Sequence, residues 1–193
     1  MKEENIKRLL DFGVEIISRK GYHNVGLKEL LDSTGIPKGS FYYYFDSKED
    51  FGRKVISHYA KNTLNYLRSI LLDKSKSPRE RLLFMFKDRA SAYKKSAYQV
   101  GCLMGDCSNE LAGQFKSMQV LLEKKFSTWR DVFKQCIEEG QQLGEFNNNL
   151  SAVELADFII NNWEGALSRM KATRSVQPFH LFVKYTMKVV LKP

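Results

Sequence analysis

An all-α fold is predicted by three features of this chain. Only four prolines, at 37, 78, 178 and 193, interrupt its 193 residues. Apolar residues recur at three- and four-residue spacings, and no segment shows the Val/Ile/Thr alternation of a half-buried strand. Glycine, proline and serine fall between the periodic segments, where helices stop and start. About nine helices are expected on these signals.

Ile6, Leu9, Leu10, Val14 and Ile17 define a first helix that ends at Lys20-Gly21, glycine being the usual C-terminal stop. Gly26 precedes a short second helix beginning Leu27-Lys28-Glu29-Leu30-Leu31, with Glu29 in the first turn, where a carboxylate suits the positive helix end. Gly35-Ile36-Pro37 breaks it, and a third helix is predicted over about 38–44, since proline is tolerated at a helix start. Ser47-Lys-Glu-Asp50 predicts a capping box opening a long fourth helix, about 48–72. Two short helices across a glycine-containing turn form a helix-turn-helix pattern. Beyond Lys74-Ser-Lys-Ser-Pro78, amphipathic helices are expected at about 79–97, 104–112, 116–143, 151–172 and 178–191, with Ser151 as a cap and Glu154 at the box position.

Composition narrows the class. Apolar content of 43% with 27% charged residues is that of a globular protein. No run approaches the roughly 18 apolar residues of a membrane span, and Met1–Arg8 lacks the apolar stretch of a secretory signal, so a cytoplasmic protein with no membrane partner is expected. Cys102, Cys107 and Cys136 are odd in number, without disulfide-framework or zinc spacing, so neither disulfides nor a metal is expected. There is no nucleophile elbow, no phosphate loop and no strand for a nucleotide fold, so no enzyme and no cofactor are expected.

Net charge is +9, which suits a nucleic-acid partner. Its distribution is uneven. Residues 1–55 carry a net of +1, residues 56–100 a net of +7 and residues 101–193 a net of +1. The basic excess follows the helix-turn-helix rather than lying in it, and a solvated helix surface explains it as well as phosphate binding does.

Within Gly35–Gly52, G-I-P-K-G-S-F-Y-Y-Y-F-D-S-K-E-D-F-G, the third helix carries three consecutive tyrosines. Three successive helical side chains spread over about 200°, so they cannot share one buried face. Phe41 and Phe45, four apart, are expected to pack inward while Tyr42, Tyr43 and Tyr44 fan outward. A major groove, roughly 12 Å wide, admits such a helix N-terminus first. Lys38, Gly39 and Ser40 would then meet base edges: a lysine donating to guanine, a glycine letting the backbone approach, and a hydroxyl. Lys48, opening the fourth helix, is placed for phosphate.

These residues carry a resemblance. Residues 13–55 are similar to the N-terminal domain of the TetR family of bacterial transcriptional repressors, through G-Y-H-N-V-G-L-K-E-L-L, G-I-P-K-G-S-F-Y-Y-Y-F and S-K-E-D-F-G. The resemblance implies a DNA-binding domain over residues 1–50 and an effector-binding and dimerisation domain over 51–193. It also implies a homodimer on a near-palindromic double-stranded operator, released when an effector binds. By position, Tyr42 and Lys48 match phosphate contacts. Lys28, Lys38, Gly39, Ser40 and Tyr43 match positions facing bases or adjoining phosphates, and Tyr44 is a further backbone contact. Where many relatives place Thr and Ser/Thr before the second helix, this chain has Val25 and Gly26, losing a hydroxyl-to-phosphate bond. The wording V-G-L, P-K-G-S-F and K-E-D-F-G looks most like the NemR-like branch, whose members often regulate reductases and detoxification genes.

Two effector routes stay open. Gln99-Val-Gly-Cys102-Leu-Met-Gly-Asp-Cys107 resembles a G-C-L segment whose cysteine, in some relatives, responds to electrophiles or oxidants. Cys102 would need thiolate character, from a helix N-terminus or from Lys94 and Lys95, with Cys107 as resolving partner. The ordinary reading is a small buried hydrophobe. The second route is an apolar pocket, for which Phe84, Tyr93, Met104, Phe133, Trp163 and Met170 are candidate lining. The last two helices carry apolar stripes (Leu155, Phe158, Ile159, Trp163, Leu167; Phe182, Tyr185, Val189), which in this family form the dimer interface. An activator, or a nucleoid-associated DNA-binding protein without a small-molecule effector, is the alternative function.

Overall fold

The computed structural model describes residues 2–193 and, at Lys38, the backbone alone. Among the described residues, nine α-helices run in order: α1 Lys2–Lys20, α2 Leu27–Thr34, α3 Lys38–Tyr44, α4 Lys48–Leu71, α5 Pro78–Lys95, α6 Leu103–Leu111, α7 Lys116–Gln142, α8 Ala152–Thr173 and α9 Gln177–Tyr185. No strand occurs among the described residues, and no helix is long and apolar enough to cross a membrane. The chain forms two compact units, Met1–Asn62 with Cys102–Lys125, and Thr63–Gly101 with Phe126–Pro193.

Local chemistry sets most helix ends. Gly35, at φ +65°, closes α2 through its N–H to the Leu31 carbonyl, and this left-handed turn redirects the chain into α3. Ser77 and Glu80 form a complete capping box ahead of α5, with Pro78 in its first turn. Ser151 caps α8 by accepting from the Glu154 N–H. At α4 the expected box is only half made. Ser47 Oγ accepts from the Asp50 N–H at 3.0 Å, but the Asp50 carboxylate takes the Asp46 N–H at 3.2 Å.

The C-terminus departs from the predicted single helix. After α9, Thr186–Val190 is a π turn, with the Leu191 N–H bonded to the Thr186 carbonyl at 2.9 Å. The wider turn puts Thr186 and Leu191, five apart, on one buried side.

In the first unit, Leu9, Ile16 and Ile17 of α1 join Leu30 and Leu31 of α2 and Phe51, Val55 and Ile56 of α4 in the core. A Cβ on Gly13 would lie 2.7 Å from both Phe51 and Val55, so α1 and α4 approach too closely for a side chain there. In the second unit, α5, α7, α8 and α9 surround an aromatic cluster described below.

Candidate nucleic-acid interface

Helix α3 has two contrasting sides. Phe41 and Phe45 are fully buried and form a ring triad with Phe51 of α4, centroids 5.0–5.6 Å apart. Tyr42 and Tyr43 are 60% and 67% exposed. Both aspects match the expectation from spacing. Packing fixes the helix rigidly by one side, while the other presents two rings with hydroxyls.

The remaining predicted residues fall around this surface. Gly39 is exposed, and a Cβ added there would meet nothing within 4 Å, so the first turn of α3 is open. Ser40 is half-buried, and its N–H bonds the Pro37 carbonyl at 2.9 Å. Lys28 is exposed on α2. The Lys38 side chain lies outside the described residues, and its backbone opens α3. Gly26 caps α2 with no side-chain bond, as the loss of a hydroxyl at that point requires.

Tyr44 behaves differently from its neighbours. It is half-buried, and its hydroxyl accepts a hydrogen bond from Asn5 Nδ2 of α1 at 3.2 Å. Its ring meets Tyr43 edge-on at 5.3 Å. Tyr44 thus ties α3 to α1 and steadies Tyr43. Lys2 adds a cation over the Tyr43 ring at 4.6 Å. Neither Lys2 nor Asn5 is marked by the sequence. Their partners lie some forty positions away, and only the packing of α1 beside α3 reveals them.

Lys48 is half-buried, with Nζ 3.4 Å from the His23 carbonyl and 4.9 Å from the Tyr22 ring centroid. Burial lowers its pKa from the ordinary lysine value, and Glu110 acts in the opposite sense.

The residues named for effector sensing are dispersed. Tyr93, Phe133 and Trp163 come together in the second unit with Phe86, Phe179 and Phe182, and Trp163 Nε1 donates to the Tyr93 hydroxyl at 3.2 Å. Met170 is fully buried. Phe84 does not join them. It is 49% exposed, with Lys76 Nζ 4.9 Å from its ring centroid. Leu82, Met85 and Phe86 are the inward positions of α5, and residue 84 lies about 200° around the helix from 82 and 86.

Met104 is buried in α6, within the first unit. Cys102 occupies the N-cap of α6, where the sequence places it, but it is buried, as is Cys107. Burial, with Glu110 and Asp106 adding to it, pushes the Cys107 thiol up to about 12. Among the described residues, no three His, Cys, Asp or Glu side chains group as a metal site.

Comparison with known proteins finds matches for both halves of the chain. Residues 9–53 match the family model for bacterial regulatory proteins of the tetR family, and residues 78–186 match the tetracyclin repressor-like C-terminal domain. The chain is 32% identical over 185 residues to the HTH-type transcriptional repressor DhaR of Mycobacterium sp. strain GP1, covering 96% of this chain and 91% of that protein. It is 25% identical over 187 residues to the HTH-type transcriptional repressor NemR of Escherichia coli K12, covering 97% and 94%. It superposes on the crystal structure of a TetR regulatory protein from Rhodobacter sphaeroides with a TM-score of 0.89, at 30% identity over 94% of this chain and 96% of that one. With a firmly anchored third helix and matches in both halves, this chain belongs to the TetR family of helix-turn-helix DNA-binding transcriptional regulators.

Proposed function

We propose that residues 1–50 form the operator-reading domain and that α3 enters the major groove N-terminus first. In this reading Lys38, Gly39 and Ser40 meet base edges, Tyr43 and Lys28 meet bases or adjoining phosphates, and Tyr42 and Lys48 grip the backbone. Tyr44 serves chiefly to hold Tyr43 in place. The single observation that carries the reading is the exposure of Tyr42 and Tyr43 on a helix whose Phe41 and Phe45 are fully buried. Two large, solvated rings on a firmly anchored short helix suit a polyanionic partner.

The test is fluorescence anisotropy on the intergenic duplex upstream of the gene and on a random duplex, comparing two variants. Tyr42→Phe is expected to weaken binding to both by about 1 kcal/mol, the typical net worth of one hydrogen bond. Lys38→Ala is expected to lose about 1–3 kcal/mol on the specific duplex only, because a base contact discriminates and a phosphate contact does not. Equal losses for Lys38→Ala on both duplexes would show that it touches phosphate alone.

The second domain, 51–193, is assigned effector binding and dimerisation. Members of the family act on DNA as dimers. Phe158 of α8 and Leu181, Tyr185 and Val189 near the C-terminus remain 44–61% exposed, an apolar surface suited to a second copy through the last two helices. A two-fold dimer then fits a near-palindromic operator. In the same unit, the Tyr93–Trp163 hydrogen bond within an aromatic cluster suits a small, mostly apolar effector with one polar group. This non-covalent reading is favoured over the Cys102 and Cys107 route by the burial of both thiols. N-ethylmaleimide is expected to label them only after unfolding, as read by mass spectrometry. Rapid labelling of native Cys102, with operator release, would restore the electrophile route.

A further inference from the structure

Away from the DNA-facing side of α3, a carboxylate and an ammonium meet on one short loop. The carboxylate is Glu110, on the last turn of α6. It is half-buried and accepts the His23 backbone N–H at 3.3 Å. It is seated so closely that a Cβ on Gly21 would lie 2.7 Å from Oε1. The carbonyl of the same residue, His23, takes Lys48 Nζ at 3.4 Å, and Lys48 lies over the Tyr22 ring. The loop therefore receives a carboxylate on its N–H and an ammonium on its C=O. The Glu110 charge favours the ammonium form of Lys48 against the burial that disfavours it. All of these residues belong to the first compact unit.

We propose that Glu110 restrains DNA affinity by acting as an internal counter-charge to Lys48, holding that lysine inward over Tyr22 and away from the phosphate it would otherwise grip. The proposal rests on the reading of Lys48 as a phosphate contact. A DNA phosphate and the Glu110 carboxylate are both anions drawn to one ammonium, and the field of Glu110 also opposes an approaching phosphate directly. Binding DNA then means turning Lys48 from an internal partner to an external one. Glu110 sets how much of its attraction is left for DNA, and any movement of the α6 C-terminus changes that balance.

The effect is readable because its sign is unusual: removing a charge near the interface tightens binding. Glu110→Gln keeps an oxygen acceptor for the His23 N–H and removes only the charge. In the full-length protein, anisotropy titrations on a random-sequence duplex are expected to show E110Q binding about fivefold tighter than the parent, the effect of one partly exposed charge pair. Lys48→Ala is expected to weaken binding and to lower the salt slope by about 1. In the double variant the gain from E110Q is expected to vanish, and thermal melting should show E110Q folded as the parent is.

Four results would overturn the proposal. Equal or weaker binding by folded E110Q makes Glu110 a structural or positioning group. The same gain with and without Lys48 makes it a general charge effect. Unchanged binding by Lys48→Ala removes the phosphate contact itself, and the restraint with it. Loss of binding by Lys48→Ala without a gain from E110Q leaves the Lys48 contact standing and removes only the restraint.

Discussion

Phe41→Ala is expected to lower stability by about 3–5 kcal/mol, the usual cost of truncating a fully buried phenylalanine. The figure belongs at the high end because Phe41 is 0% exposed and its ring meets both Phe45 and Phe51 within 5.6 Å. A short helix cannot hold itself together. Seven residues form too few internal hydrogen bonds to offset nucleation, so α3 exists because its buried side is docked. Removing Phe41 takes away one of the three rings of that dock and leaves a cavity between α3 and α4. DNA binding should therefore fall with stability, although Phe41 is buried. Urea melts followed by far-UV circular dichroism, alongside anisotropy on the upstream duplex, check both outcomes. Tyr42→Phe is the control, since it is expected to weaken DNA binding while leaving the melt unchanged. Wild-type stability in Phe41→Ala would show that α3 is held by something other than the phenylalanine triad.

This contrast also shows which parts of the molecule are legible in its sequence. Helix ends announced by a local group are readable: Gly21 and Gly35 at left-handed φ, Pro37 and Pro78 at helix starts, and Ser151 as a cap. The inward pair Phe41 and Phe45 follows from spacing, and the outward pair Tyr42 and Tyr43 follows from the impossibility of burying three neighbours together. Spacing fails where apolar residues occupy more than one side. On α5, Leu82, Leu83, Phe84, Met85 and Phe86 form a continuous apolar run. Period alone cannot tell that Leu83 and Phe84 face water. Asp50 departs from its pattern for a different reason: its carboxylate bonds the Asp46 N–H, one residue short of the Ser47 N–H that a full capping box uses.

The pairs that no pattern could show are the distant ones. Glu110 reaches the His23 N–H across 87 residues, and Asn5 reaches Tyr44 across 39. Each residue alone looks like an ordinary surface polar group, and only the packing of α1 beside α3, and of α6 beside the loop after α1, gives it a partner. The place of Lys48 at the start of α4 points to phosphate, but nothing in the sequence points to its internal pose over Tyr22. For the proposed DNA-facing site, the chemistry is therefore readable and the electrostatic setting is not.

The same limit hides a buried arginine's ion pair in the second unit, whose disruption should cost as much as Phe41→Ala. Arg81 of α5 is only 1% exposed, and it meets Glu139 of α7 through two nitrogens, NH1 to Oε2 at 2.7 Å and NH2 to Oε1 at 3.2 Å. Lys74 also bonds this carboxylate, and Arg81 reaches the Leu71 carbonyl at 3.4 Å. Its Nε is buried with no acceptor among the described residues, so Glu139 bears most of the compensation for a desolvated guanidinium. Glu139→Ala is accordingly expected to cost about 3–5 kcal/mol, because it leaves a buried positive charge uncompensated. Replacing the pair together, as Arg81→Met with Glu139→Leu, should recover most of that loss, since the cost lies in the orphaned charge rather than in the absent attraction.

The pH dependence follows from the same pair. Arg81 first, and Lys74 after it, hold the Glu139 carboxyl down at about 2, below its ordinary 4.5. A depressed folded-state pKa means stability that is fully present above about pH 4.5 and lost as pH falls towards 2. The stability gap between the parent and Glu139→Ala should then be constant at neutral pH and shrink through that acid window, as urea melts at stepped pH would show. A gap that stays constant down to pH 2 would place the effect of Glu139 in packing. A gap that closes would place it in the charge that Arg81 cannot be buried without.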